Sequence, residues 1–183
     1  MFTSDEKLAR ETIDDPQKFN PLVKRYTDRV RRYIARLIGN WQESEDLTQD
    51  VFLKAFKNIA SFNPRLKFSS WLYRIAHNES VNYIKKKYRY KEVEFSDEIK
   101  KELYDNKTVL EKIIQREEAE TVAKTLLKLK PRDREILELY YFEEKSYLEI
   151  SDILHLSVNS IGPTTKRAKQ KLKKQIKNEQ IRR

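Results

Sequence analysis

The stretch PLVKRYTDRVRRYIARLI, residues 21–38, decides the fold of the first half of the chain. Its apolar side chains recur at steps of three and four residues, so they form one stripe along an α-helix. Asn20 is the predicted N-cap, Pro21 suits the first helical position, and Gly39 is typical of a helix C-terminus. The opposite face is cationic and carries Lys24, Arg25, Arg29, Arg31, Arg32 and Arg36. The stretch therefore predicts a helix with one buried face and one strongly basic face.

Further helices are predicted on both sides of this stretch. A short one covers residues 6–13, and Ser44 is the expected N-cap of another over residues 45–59. A third runs from about Ser70 to Tyr88 and ends in a basic cluster at residues 85–87. The 183 residues contain only two glycines and five prolines, whereas sheets need such residues at their tight turns. The expected fold class is all-α, with two small helical domains.

The second half begins with a change of charge. Residues 92–120 contain ten acidic and five basic side chains, so we predict an acidic linker over 92–118 between domains at 1–91 and 119–183. In the second domain Pro131 opens a helix, and residues 146–149 (SYLE) form a capping box for the next one. A turn at residues 155–157 and a basic last helix complete a helix-turn-helix pattern.

Charge and composition limit the function. The net charge of +10 and the pI near 9.6 point to a polyanionic partner. The sequence contains no run of about 18 apolar residues, which a membrane span would need. The N-terminus does not resemble an export signal, so we expect a cytoplasmic protein. There are no cysteines, and His77 and His155 lack partners at ligand spacing. Since no phosphate loop or nucleophile motif is present either, we expect no cofactor, no metal and no enzymatic activity.

Three segments resemble the sigma-70 family of RNA polymerase sigma factors, of the small extracytoplasmic-function (ECF) type. They are EDLTQDVFLKAF (45–56), FSSWLYRIAHN (68–78) and the region from Leu129 to Ile150. The resemblance implies a first domain that binds core polymerase and melts the minus-ten element, and a second that contacts the minus-thirty-five element. It also implies promoter DNA, the largest polymerase subunits and an anti-sigma or recruiting protein as partners, with the linker threading polymerase channels. A stand-alone helix-turn-helix repressor or activator is the competing hypothesis, although it explains only the last third.

The resemblance assigns roles to individual residues. Core polymerase, through a coiled coil of its largest subunit, is expected at Asp46, Gln49, Asp50 and Phe52. Minus-ten binding and melting are expected at Lys67, Phe68, Ser69, Trp71, Tyr73, Arg74, Asn78, Asn82, Lys85 and Lys86. Minus-thirty-five binding is expected at Ser157, Asn159, Ser160, Lys166, Arg167 and Lys169. Simpler explanations stay open: the acidic residues suit a helix start, Trp71 suits a core, and most lysine runs are solvated.

The last helix departs from the family. At positions 162–164, where its members commonly carry long basic or hydroxyl side chains, this chain has Gly162, Pro163 and Thr164. Glycine and proline cannot donate to a base edge, so weak reading of the upstream element is expected. A proline in the second turn of a helix costs about 3 kcal/mol. We therefore expect Ser160 to be the N-cap of a helix that starts near Ile161, with Lys166, Arg167 and Lys169 contacting mostly phosphates.

Overall fold

The computed structural model describes residues 3–88, 126 and 128–181. The chain divides into two compact units, Met1–Glu94 and Phe95–Arg183. Within the described residues all regular secondary structure is helical, which confirms the predicted all-α class. The predicted acidic linker lies outside these residues. So do Ala119, Val122, Ala123 and Leu127, which helical spacing predicts to form one apolar stripe with Leu126.

Residues 3–88 of the first unit form four α-helices: α1 (Asp5–Glu11), α2 (Asn20–Ile38), α3 (Trp41–Lys57) and α4 (Phe68–Tyr88). Short 3-10 turns at Pro16–Phe19 and Ile59–Ser61 connect them. Helices α2, α3 and α4 pack on one another, and α1 packs against α2 and α4. The apolar stripe of α2 is buried as predicted, and the core between the helices contains Leu22, Val30, Tyr33, Ile34, Val51, Leu72 and Tyr73.

The connection between α2 and α3 is shorter than the sequence suggested. Gly39 ends α2 with a φ of 73°, as predicted, and Asn40 follows at once as the N-cap of α3. The Asn40 side chain accepts a hydrogen bond from the Glu43 N–H at 3.0 Å. The expectation that Ser44 caps a helix from Glu45 is therefore wrong. Ser44 is fully buried inside α3, and its hydroxyl donates to the Trp41 carbonyl.

The start of α2 is also shifted by one residue. The 3-10 turn at Pro16–Phe19 continues directly into the helix, so Phe19 is the N-cap and the predicted cap, Asn20, is already helical. Phe19 provides no capping side chain and is instead buried. The side-chain cap that the sequence suggested is absent, and the 3-10 turn supplies a backbone acceptor here, since the Asn20 N–H donates to the Gln17 carbonyl.

The second unit contains α5 (Pro131–Tyr141), α6 (Tyr147–Leu154) and α7 (Val158–Ile181). Pro131 opens α5, and the predicted capping box at Ser146 and Glu149 is present. His155 ends α6 with a φ of 53°, so the turn expected between α6 and α7 is confirmed. The core side chains are Leu129, Ile136, Leu137, Leu139, Ile150, Ile153, Ile161 and Ala168.

Helix α7 starts at Val158, three residues before the predicted start near Ile161, so that prediction is wrong. Pro163 lies inside the helix, and Asn159 consequently loses the backbone donor four residues later. Two features keep the cost at the lower end of the usual range, about 3 kcal/mol. Asn159 is exposed, so water can reach this first turn, and the residue before the proline is Gly162. Because glycine has no Cβ, it avoids the clash that normally keeps a residue before proline out of the helical conformation.

Candidate protein-binding and nucleic-acid interfaces

The face of α3 that carries Asp46, Gln49 and Asp50 is exposed to solvent. The three residues follow one another at steps of three and one, which places them on the same side of the helix. They lie in the second and third turns, because α3 already begins at Trp41. The favourable effect of a helix dipole on acidic residues is confined to the first turn. The explanation of these side chains as a simple acidic helix start therefore loses its basis.

An apolar groove of about 500 Å³ lies beside Gln49, between the start of α2 and the outer face of α3. Its walls include Phe19, Val23, Gln49, Phe52, Leu53 and Phe56. Phe52 is buried there with its ring 6.3 Å from that of Phe19, so it shapes the groove rather than standing on the surface.

Leu53 and Phe56 contribute most of the apolar surface that this groove exposes. Leu53 is 55% exposed and Phe56 is 39% exposed. Helical periodicity predicts that Phe56 faces inward together with Val51, Phe52, Ala55 and Ile59, which is wrong for Phe56, and it does not select Leu53. The spacing of positions 49, 53 and 56 (four, then three) is the signal that would have found both, since it puts them on the face of Gln49.

A polar stripe runs along the outer face of α4. Arg74, Asn78, Asn82 and Lys85 follow one another at steps of four, four and three residues, and the last three are exposed. The stripe is roughly 16 Å long at 1.5 Å per residue. Amide groups can both donate to and accept from base edges, and cations can contact phosphates. The stripe therefore has the chemistry of a nucleic-acid surface.

The lysines at the end of α4 differ in their surroundings. Lys85 and Lys86 are exposed. The Lys87 ammonium instead donates to the Glu43 carboxylate at 2.9 Å and to the Tyr83 hydroxyl at 2.8 Å. Lys87 thus ties α4 to α3, whereas its two neighbours are available to an external anion.

The aromatic residues at the start of α4 are largely buried. Phe68 and Tyr73 are fully covered, and Trp71 is 8% exposed. Trp71 packs against the rings of Phe62 and Phe68, and Tyr73 meets Tyr33 edge-on at 5.1 Å. The expected role of Phe68, Trp71 and Tyr73 in minus-ten binding and melting needs contact with DNA, which this burial largely prevents. The three rings form part of the core beneath the outer face of α4.

An exposed loop, residues 63–67, precedes α4. Its backbone is held by the Asn63 carboxamide, which accepts from the Arg65 N–H at 3.0 Å. Lys67 is exposed, as its expected role requires. Leu66, which the sequence did not single out, is 50% exposed between the two cationic residues of the loop. Ser69, just beyond the loop, is half-buried and hydrogen-bonded to Tyr26.

The predicted minus-thirty-five residues do not all share one surface. Ser157, Asn159, Lys166 and Arg167 are exposed, and Ser160 is half-buried. Lys169 is also half-buried, with its ammonium 5.7 Å from the centre of the Tyr141 ring.

Gly162 does not belong to the exposed face of α7. A Cβ at this position would lie 3.3 Å from the Tyr147 ring, so the position faces α6. Burial raises the pKa of the Tyr147 phenol, and the neighbouring Tyr140 adds to the rise. The explanation of Gly162 as an unused base-reading position is therefore replaced by a packing role, whereas Pro163 is exposed.

Residues 3–88, 126 and 128–181 contain neither a candidate metal site nor a candidate membrane span. No group of three or more histidine, cysteine, aspartate or glutamate side chains in these ranges could hold a metal ion. In the same ranges, none of the helices has the length and apolar character needed to cross a bilayer.

Comparison with known proteins places both units in one family. Residues 22–90 match Sigma-70 region 2, and residues 119–172 match Sigma-70, region 4. The chain is 32% identical over 180 residues to the ECF RNA polymerase sigma factor SigW of Bacillus subtilis, covering 94% of this chain and 96% of the relative. It is 27% identical over 183 residues to the ECF RNA polymerase sigma-E factor of Escherichia coli, covering 96% and 95%.

Solved structures show the same fold. The structure of CnrH in complex with the cytosolic domain of CnrY matches with a TM-score of 0.69 and 25% identity, over 96% of this chain and 99% of that one. The sigma factor RpoE in complex with the anti-sigma factor NepR from Bartonella quintana matches with a TM-score of 0.68 and 22% identity, over 88% and 98%. The chain belongs to the sigma-70 family of RNA polymerase sigma factors, in its extracytoplasmic-function class.

Proposed function

We propose that this sigma factor binds core RNA polymerase through α3 and directs it to promoters, where α4 contacts and helps to open the minus-ten element. One observation carries the proposal: neighbouring helices of the first unit present two chemically different surfaces. Helix α3 offers acidic and amide groups beside an apolar groove, and α4 offers amides and cations. A stand-alone repressor accounts for the second unit but has no use for the surface of α3.

The proposed polymerase surface combines Asp46, Gln49 and Asp50 with the adjoining groove. Leu53 and Phe56 expose apolar area there that a partner would cover, and the three polar residues border it on the same helix. A helix of the polymerase's largest subunit suits this arrangement, because an apolar stripe can enter the groove while polar groups pair at its edge. Phe52 supports the groove from beneath.

The proposed minus-ten surface consists of the α4 stripe and the loop at residues 63–67. Lys67, Arg74, Lys85 and Lys86 contact phosphates, and Asn78 and Asn82 face base edges. An exposed apolar side chain in a cationic loop also suits a separated strand, since bases that lose their stacking partners gain from apolar contact.

Phe68, Trp71 and Tyr73 support this surface from the core. Their rings pack on Phe62 and Tyr33, and this packing fixes the start of α4 under the loop. We propose that the residues contribute to strand opening by holding α4 in place, and that only the uncovered edge of Trp71 is available to DNA.

The second unit is proposed to hold the minus-thirty-five element through the exposed face of α7. Ser157, Asn159, Ser160, Lys166 and Arg167 lie at or near this face. Lys169 reaches it only in part, because its ammonium lies over Tyr141. Pro163 is exposed on the same helix and cannot donate a hydrogen bond to a base. The contacts of this face are therefore mostly to phosphates, which position the unit without reading many bases.

Partners and location complete the proposal. The two solved relatives were captured with the cytosolic domain of CnrY and with the anti-sigma factor NepR. We propose that a regulator of this kind controls the present chain. We also propose that the protein acts in the cytoplasm as a transcription initiation factor without catalytic activity of its own, and that residues 92–118 pass through polymerase channels.

The test is run-off transcription with purified core polymerase. The promoter template is selected by the wild-type holoenzyme from a randomised library. Wild-type protein should give discrete transcripts that core polymerase alone does not give. Promoter binding by the free protein that is tight and specific at physiological salt, with no polymerase effect, would support the repressor hypothesis instead.

The role of α3 is tested by core-binding titrations. The double variant Asp46→Ala/Gln49→Ala and the single variant Leu53→Ala should each weaken core binding by about tenfold or more, roughly the effect of an interface side chain that contributes over 1 kcal/mol. Ile13→Ala is the matched control, because Ile13 is 54% exposed and does not line the groove. Equal affinity of Leu53→Ala and Ile13→Ala would remove the groove from the interface.

A further inference from the structure

Helix α1 lies outside the residues that match Sigma-70 region 2, which begin at residue 22. It is a short helix, capped by Ser4, whose hydroxyl accepts from the Lys7 N–H at 3.3 Å. The two acidic residues of its first turn, Asp5 and Glu6, also form contacts outside α1. Each of them reaches a different helix of the unit.

Asp5 joins α1 to α2. Its carboxylate accepts hydrogen bonds from the Arg25 guanidinium and from the Tyr26 hydroxyl. The Asp5 side chain is 16% exposed in this ion pair, so the contact is more shielded than an ordinary surface salt bridge. Asp5 therefore fixes the position of α1 on α2.

Glu6 joins α1 to the first residue of α4. Its carboxylate accepts from the Phe68 backbone N–H at 3.3 Å, across 62 residues of sequence. The first N–H groups of a helix have no partner within the helix, and a side-chain oxygen normally caps them. The residue before Phe68 is Lys67, which has no acceptor in its side chain. Glu6 thus provides from α1 an acceptor for this N–H group that the side chain of Lys67 cannot provide.

Tyr26 connects the two contacts. Its hydroxyl donates to Asp5, its ring lies 5.9 Å from that of Phe68, and it is hydrogen-bonded to Ser69. Helices α1 and α2 therefore hold residues 68 and 69 together, at the junction between the exposed loop and the polar stripe of α4. Burial raises the pKa of the Tyr26 phenol, although Arg29 and Arg25 act in the opposite direction.

We propose that α1 is a positioning element for strand opening, in which Glu6 and Asp5 fix the N-terminus of α4 and with it the loop at residues 63–67. The inference rests on the function proposed above for α4. It differs from a purely structural role of α1 in one respect. Loss of the Glu6 contact should impair separation of the strands while leaving the α3 surface and polymerase binding intact.

The experiment compares Glu6→Ala, Glu6→Gln and the control Glu11→Ala in full-length protein bound to core polymerase. Glu11 lies on the same helix, and within the described part of the chain its carboxylate pairs only with Lys7 of α1, at 3.7 Å. Core affinity and the melting temperature are measured for each variant. Open complex is then measured as the run-off transcript that survives heparin challenge on two templates. One is a duplex promoter selected with the wild-type holoenzyme, and the other has the same sequence with the minus-ten segment already unpaired.

The variants are expected to differ in the fraction of duplex promoter that they open. Glu6→Ala should reduce the open fraction about tenfold, equivalent to roughly 1.4 kcal/mol and within the usual range for a lost N-cap. Glu6→Gln keeps an acceptor oxygen and should lose about threefold, within that same range. Glu11→Ala should match the wild type. All variants should bind core polymerase equally, and the pre-opened template should restore Glu6→Ala to the wild-type level.

Three results would overturn the proposal. They are equal opening by Glu6→Ala and Glu11→Ala, a parallel loss of core binding in Glu6→Ala, and a defect that persists on the pre-opened template. If Glu6→Ala does not fold, the Glu6→Gln variant decides by the same comparison with Glu11→Ala. A wild-type holoenzyme that opens no duplex promoter would instead refute the proposed function of α4, and the positioning role with it.

Discussion

Replacing Pro163 with alanine should stabilise the second unit. Proline in a helix interior costs about 3 kcal/mol relative to alanine, because it removes a backbone donor and crowds the carbonyl four residues earlier. Proline also restricts the unfolded chain, which offsets about 0.4–1 kcal/mol of this cost. Since Pro163 lies in the second turn of α7, we expect a net gain of about 2 kcal/mol from Pro163→Ala.

The gain can be measured by amide hydrogen exchange in the full-length protein. A change of about 2 kcal/mol raises the protection of α7 amides by roughly thirtyfold. Tryptophan fluorescence provides an internal control, since both tryptophans, Trp41 and Trp71, belong to the first unit. Their unfolding transition should not move.

Substituting Gly162 with and without Pro163 tests whether this glycine permits the proline. Gly162→Ala alone should destabilise α7 by about 1 kcal/mol, because strain before the proline and the 3.3 Å approach to Tyr147 outweigh the better helix propensity of alanine. In the Pro163→Ala background the first source of strain disappears, so the same change should be close to neutral. Additive effects in this double-mutant cycle would refute the idea that Gly162 permits the proline.

Three further outcomes are expected. Lys85→Ala and Lys86→Ala should each reduce the slope of log affinity against log salt concentration for holoenzyme–promoter binding by about 0.9. Lys87→Ala should leave this slope unchanged, because the Lys87 ammonium is held 2.9 Å from the Glu43 carboxylate of α3. Binding titrations at several salt concentrations measure the slopes. Tyr73→Ala should cost about 3–5 kcal/mol of stability and impair polymerase binding together with opening, because the ring is fully buried; a stable variant that binds polymerase normally would contradict it. Asn40→Ala should lower the free energy of unfolding of the first unit by about 1 kcal/mol in tryptophan-monitored urea melts, as for a lost N-cap; an unchanged midpoint would count against the cap.

The features that could be predicted from the sequence are local ones. The stripe of α2, the glycine at its end, the proline that opens α5 and the capping box of α6 each depend on residues within one or two turns of one another. Such patterns act through backbone geometry and side-chain spacing, so they need no knowledge of neighbouring helices. The same is true of the exposed amides and cations on α4, which keep helical spacing.

The wrong predictions concern choices between local signals. Ser44 and Asn40 are both good N-cap residues, and Asn40 serves because Gly39 has just ended α2. Ser160 was preferred as the cap of α7 because Pro163 made an earlier start costly. In the structure α7 begins right after the turn at residues 155–157, and Gly162 makes the proline tolerable.

The helical class, the motifs of the family and the basic character of the chain follow from the amino-acid sequence alone. Which side of each helix a partner can reach depends on how the helices pack. Trp71 and Tyr73 are enclosed by Phe62 and Tyr33, while Leu53, with the same apolar character, stays exposed. Burial depends on which distant residues are packed against a side chain, and periodicity along one helix does not specify them.

The polar contacts illustrate the same distinction. Lys87 is paired with Glu43 across 44 residues, whereas the adjacent lysines are exposed, and no pattern in the lysine run separates the three. Glu6 caps α4 from 62 residues away. Such contacts form because packing of the apolar faces brings helix ends together, and the charged groups then pair with whatever lies within hydrogen-bonding distance.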